Sequence, residues 1–393
     1  MRNSVWRLVL VLSVAAGTLA ASGLYQVTDL GTLGGAASYA TGINSSGQVS
    51  GVSQISGGTL EHAFLYSGGV MQDLGTLGGT QSRAWAIDAS GEVVGGSYLA
   101  NTDYHAFVDS GGVMQDLGLL GESEALGVNG AGQVVGDMCT GACDAFLYSG
   151  GVTSDLGNLG GSASAIGVND LGQVVGQSYL PGYTAYHAFL YSGGVMQDLG
   201  TLGGTNSVAR GINDSGQIVG WSDLPGDTVV HAFLYSGGVM YDLGAPAGSS
   251  SYAYAINSSG AVVGYMTPPL GFGNLEAFLY SGGVMQDLDN LVPPGWGVYQ
   301  AWSINDRGQI VGYGHGGHAV LLTPENAGVP EPSGLVLLAS GLVGLLAVRR
   351  RRGDPIGRRE PGVGGRGGIR TPDPGVANAV LSQLSYTPTL GKF

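Results

Sequence analysis

His187-Ala188-Phe189-Leu190-Tyr191-Ser192-Gly193-Gly194-Val195-Met196-Gln197-Asp198-Leu199-Gly200 is the phrase on which the fold turns. It recurs with small changes along the chain, anchored at His62, His105, Asp144, His187, His231, Glu276 and His318. Successive anchors stand 39 to 45 residues apart. A period of that length marks a repeat architecture. Two other motifs keep the same rhythm. Asp-Leu-Gly starts at Asp29, Asp73, Asp116, Asp155, Asp198 and Asp242, and Asp287 opens an Asp-Leu-Asp variant. An Ile/Val-Asn-x-x-Gly turn motif centres on Asn44, Asp88, Asn129, Asn169, Asn213, Asn257 and Asn305. Each motif occurs seven times, so the chain carries seven units.

Local chemistry predicts strands throughout. Ala188–Tyr191 and Val195–Leu199 are apolar runs of strand length. Gly193-Gly194 between them can both take positive φ, as a two-residue hairpin turn requires. Ile212 to Val219 predicts a second hairpin, with the Asn213 side chain folded onto the turn and Gly216 in a left-handed conformation. Each unit therefore offers four strands, and four-stranded units set around an axis make a β-propeller. The chain opens with a stray fourth strand, Tyr25 to Leu30. It closes on three strands that lack a fourth: Trp302 to Asn305, Gln309 to Gly312 and His318 to Leu322. The expected fold is an all-β, seven-bladed β-propeller over residues 23–323, with the N-terminal strand completing the last blade. An open solenoid would need atypical polar caps, which the end units lack.

The two ends read as addresses. Residues 1–22 have the form of a signal peptide: Arg2 and Arg7, an apolar run from Leu8 to Ala21, then small residues. Residues 324–333 form a linker containing Pro330-Glu331-Pro332. Residues 334–348 are apolar and uncharged, and Arg349, Arg350, Arg351 and Arg352 follow. As a helix, the apolar stretch spans roughly 22 Å, short of a ~30 Å hydrocarbon core, with arginine snorkelling and local thinning making up the difference. A C-terminal transmembrane helix with its basic end in the cytoplasm is expected. Residues 353–393, rich in Gly, Pro and Arg, are expected to be a disordered extension, arising from a late stop codon or read-through.

Pro330-Glu331-Pro332, a short apolar segment and a basic cluster together closely resemble the PEP-CTERM sorting signal. That resemblance implies a Gram-negative bacterium, inner-membrane anchoring, processing by an exosortase-type enzyme, and delivery to the cell surface or exopolysaccharide matrix. The repeats resemble the extracellular HAF repeat family, through His-Ala-Phe at His62, His105, His187 and His231.

Between residues 23 and 328 lie 24 acidic residues and three basic ones, Arg83, Arg210 and Arg307, with no lysine. Such a surface excludes nucleic-acid binding, which needs cations to neutralise phosphates. The recurring Asp is expected to end a strand and bond a nearby turn, and the anchor His to bond at a strand start. No catalytic residue, cofactor or metal site is expected. Cys139 and Cys143, the chain's two cysteines, are expected to form a local disulfide in an exported protein. The variable loops between second and third strands carry Tyr98, Tyr104, Tyr179, Tyr183, Tyr186 and Trp221. Aromatic loops on a rigid scaffold suit recognition, and the rings suit sugars. The expected role is structural or adhesive, near exopolysaccharide and without catalysis. The alternatives are a carbohydrate- or protein-binding module and a polysaccharide hydrolase or lyase.

Overall fold

The computed structural model describes residues 24–268 and 275–325. The expected signal peptide, Pro330, Glu331, Pro332, the transmembrane helix, Arg349–Arg352 and the extension lie outside the described residues. Among the described residues, no helix is long and apolar enough to cross a membrane.

Seven four-stranded antiparallel sheets make up the described chain. N-terminal to them, β1 (Tyr25–Asp29) belongs to the last sheet. Blade 1 is β2 (Gly34–Ile43), β3 (Val49–Ile55), β4 (Glu61–Ser67) and β5 (Val70–Asp73). Blade 2 is β6 (Gly78–Ile87), β7 (Val93–Leu99), β8 (Tyr104–Ser110) and β9 (Val113–Asp116). Blade 3 is β10 (Glu122–Val128), β11 (Val134–Cys139), β12 (Cys143–Ser149) and β13 (Val152–Asp155). Blade 4 is β14 (Ala163–Val168), β15 (Val174–Tyr179), β16 (Tyr186–Ser192) and β17 (Val195–Asp198). Blade 5 is β18 (Ser207–Ile212), β19 (Ile218–Asp223), β20 (Val230–Ser236) and β21 (Val239–Gly244). Blade 6 is β22 (Ser250–Ile256), β23 (Val262–Thr267), β24 (Glu276–Ser281) and β25 (Val284–Asp287). Blade 7 is β26 (Val298–Ile304), β27 (Ile310–Gly314), β28 (Ala319–Pro324) and β1. β1 runs antiparallel to β28, with Val27 opposite Leu322. The fold is an all-β, seven-bladed β-propeller, and its N-terminal strand completes the last blade.

The repeat motifs explain the packing. Gly193 and Gly194 have φ of +60° and +85°, which tie β16 to β17 in a tight turn. Phe64, Phe107, Phe146, Phe189, Phe233 and Phe278 are fully buried. Each such side chain contributes about 1.5–3 kcal/mol. Each lies over the glycine of the second strand: a Cβ on Gly176 would run into the Ser164 carbonyl and stand 3.0 Å from Phe189 Cε1. Cores form between neighbouring blades, as where Ala63 of blade 1 packs with Ala84, Val93 and Phe107 of blade 2.

The turn asparagine works harder than a turn requires. Asn213 Oδ1 accepts the Ser215 and Gln217 amides, while Nδ2 donates to Asn257 O of the next blade at 3.0 Å. The same bond links Asn44 to Asp88, Asn129 to Asn169, Asn169 to Asn213 and Asn257 to Asn305. Asn305 donates to Asn44 at 2.9 Å, joining last blade to first. Asp88 has no amide and so cannot donate to Asn129. Asp170, Asp214 and Asp306 brace neighbouring blades by accepting the backbone amides of Gly130, Asp170 and Ser258.

The first strands differ from expectation. They extend N-terminal to the Ala-x-Gly-Ile-Asn motif, and each breaks register at its x residue, as between Ala209 and Gly211. A bulge leaves one residue outside the ladder and re-aims its side chain.

Candidate functional site: an aromatic track and an axial cavity

The seven bulged residues are Thr41, Trp85, Leu126, Ile166, Arg210, Tyr254 and Trp302. All seven line one cavity of about 510 Å³, to which every blade contributes. A girdle of Val128, Val168, Ile212, Ile256 and Ile304 separates it from a hollow of about 260 Å³ at the asparagine ring. The cavity volume lies within the roughly 300–1,000 Å³ typical of small-molecule sites.

From this cavity an aromatic chain runs out to the variable loops. Its order is Trp302, Tyr254, Tyr265, Tyr252, Trp221, Tyr186, Tyr179 and Tyr183, with ring centroids 4.9 to 6.1 Å apart. Such spacings suit stacked and edge-to-face rings. Tyr252 and Tyr254 lie two residues apart on β22, and Tyr252 is paired to Tyr265 on β23. Tyr179 is paired to Tyr186 across β15 and β16. Tyr183 sits at the loop tip with a φ of +57° and 56% of its surface exposed. Burial pushes the Tyr186, Tyr252 and Tyr265 hydroxyls up in pKa, so they remain neutral donors.

The six aromatic residues expected from sequence therefore divide. Tyr179, Tyr183, Tyr186 and Trp221 lie on the track. Tyr98 and Tyr104 pair at 4.8 Å on blade 2, beside a separate hollow of about 190 Å³. There the Tyr104 hydroxyl and Trp85 Nε1 donate to Glu124 Oε1 at 2.9 and 2.6 Å. Glu124 lies opposite Asp137, which accepts Ser164 Oγ at 2.7 Å. Burial raises the pKa of both carboxyls. Arg83 is paired to Glu61 at 2.9 Å.

Tyr252, Tyr254, Tyr265, Trp302 and Arg210 were not expected from sequence. Their signal was the variable x of an otherwise regular motif, together with aromatic residues near it. The anchor histidines bond at strand starts and the recurring aspartates at strand ends, and the two meet each other. His187 Nδ1 lies 2.9 Å from Asp198, whose Oδ1 accepts the Gly200 amide. His62–Asp73, His105–Asp116 and His231–Asp242 repeat the contact, and His318–Asp29 repeats it across the closing strand pair. Among the described residues, no group of three His, Cys, Asp or Glu side chains could hold a metal. Cys139 and Cys143 face each other across β11 and β12 and form a disulfide.

Residues 328–352 match the PEP-CTERM protein-sorting motif. No curated protein matches the chain in sequence. In fold, the chain is similar to a catalytically inactive virginiamycin B lyase from Staphylococcus aureus solved with quinupristin. The TM-score is 0.51 at 11% identity, over 76% of this chain and 99% of that one. It is also similar to a structure of a prolyl endopeptidase, with TM-score 0.50 and 10% identity, over 70% of this chain and 46% of that chain. At such identities the likeness is one of fold alone. The sorting motif marks the chain for export and for membrane anchoring before exosortase-type processing.

Proposed function

We propose that this is an extracellular HAF-type repeat protein of a Gram-negative bacterium. In this reading an exosortase-type enzyme releases it to the cell surface or matrix, where it acts as a structural and adhesive module among exopolysaccharide. It works without catalysis of its own. The observation that carries the adhesive role is the continuous aromatic track from Tyr183 to Trp302. Aromatic faces cover the apolar C–H faces of sugars, while neutral tyrosine hydroxyls bond sugar hydroxyls. A row of such rings across blades 4 to 7 fits an extended chain better than a single small ligand. The acidic, lysine-free surface supports solubility outside the cell.

Binding of the exported protein to purified matrix polysaccharide tests this role. Trp221→Ala removes the middle ring of the track and is expected to weaken binding by about ten-fold, the loss of one well-packed aromatic contact. Unchanged binding would overturn the proposal. Turnover of the polymer, lost in Glu124→Gln, would instead establish a hydrolase or lyase.

A further inference from the structure

Two buried donors in the axial cavity lack acceptors: Arg210 Nε and Trp302 Nε1. Buried polar groups are nearly always bonded, so each unmet donor needs a reason. No ion pair among the described residues involves Arg210. Its guanidinium stands 5.2 Å from the centroid of the Tyr254 ring, and Tyr254 is 4.9 Å from Trp302. The two donors therefore flank one aromatic ring at the inner end of the track.

We propose that this cavity is a subsite for the carboxylate of an acidic sugar, a hexuronate residue. This deepens the glycan-binding reading above and rests on it. A carboxylate supplies the acceptor and the countercharge that the Arg210 guanidinium lacks, and a hydroxyl of the same sugar is placed to accept from Trp302 Nε1. Leu126, Ile166 and the apolar girdle border the site, and apolar neighbours strengthen such a pair. Trp85, Tyr254 and Trp302 line the same cavity and give the pyranose aromatic contact. A neutral sugar would leave the cation without its partner. The remaining surface is acidic and repels anions, so acidic sugars are recruited by Arg210 rather than by the general field. At physiological salt that field is screened beyond about 8 Å.

Calorimetric titration of the exported protein with D-glucuronate, D-glucose and acetate at one ionic strength tests this. Glucuronate is expected to bind about ten-fold or more tighter than glucose, the size of a charge-assisted pair. Arg210→Gln is expected to remove that preference while thermal melting stays cooperative. Trp302→Phe, which keeps the ring and deletes the N–H, is expected to weaken glucuronate by about three- to ten-fold. Equal binding of glucuronate and glucose, or a preference that survives Arg210→Gln, would overturn the subsite and leave the aromatic track standing. Acetate binding as tightly as glucuronate would reduce it to a simple anion site and overturn it too. If the wild-type protein binds no saccharide, monomer or polymer, both readings fall.

Discussion

Asp88 is the one break in the amide ring that joins the blades. Every other turn residue at that place donates to its neighbour's carbonyl, and the carboxylate cannot. Asp88→Asn keeps the oxygen that accepts the Ser90 and Glu92 amides. It adds a donor for Asn129 O. The variant is expected to be more stable by about 0.5–1.5 kcal/mol in chemical denaturation, the net value of one hydrogen bond. A loss of stability would contradict the role given to these inter-blade amide bonds. Glu124 makes a second test at this scale. Burial holds its carboxyl above the usual 4.5, so the folded protein keeps that proton longer than the unfolded chain. Stability is then fully present below that value and falls as pH rises through the folded pKa. Glu124→Gln stays neutral and still accepts from Trp85 and Tyr104. Its melting temperature should exceed that of the wild type near pH 7, and the gap should close at about pH 3.5. A gap of equal size at both pH values would refute the burial argument.

Strand β1 is the element on which the ring depends. It covers the edge of β28, buries Tyr25 and brings Asp29 to His318. Deleting Tyr25–Leu30 strips two buried side chains from the propeller and leaves an open strand edge. The expected cost is about 3–6 kcal/mol, with self-association visible in size-exclusion chromatography. An unchanged melting temperature would show that another element closes the ring. Closure was legible in the sequence because strands can be counted: one spare at Tyr25 and one missing after Leu322. The inner strands were less legible. A bulge at every Ala-x-Gly breaks the two-residue alternation by which strand faces are read. Arg210, Tyr254 and Trp302 therefore looked like ordinary variation within a motif. The His–Asp contacts were hidden for another reason: each partner already had a local role, and only the pairing of third and fourth strands brings them together.

Across the whole molecule, blade number, blade order and the PEP-CTERM tail follow from repetition and from a short ordered motif. The proposed binding face does not, because it joins residues from four blades. Tyr179, Tyr183, Tyr186 and Trp221 stood out as loop aromatics, but nothing in their spacing shows that Tyr252 and Tyr265 continue the line inward. Tyr98 and Tyr104 have the same composition and lie elsewhere, with the Tyr104 hydroxyl committed to Glu124. The central claim is that one continuous aromatic track receives the glycan. Hydroxyl-radical footprinting of the exported protein, with and without matrix polysaccharide, tests it most directly. Protection is expected at Tyr183, Tyr186, Trp221 and Tyr252, and not at Tyr241, an exposed ring on the outer strand of blade 5. Protection spread evenly over both sets, or confined to Tyr241, would contradict the account.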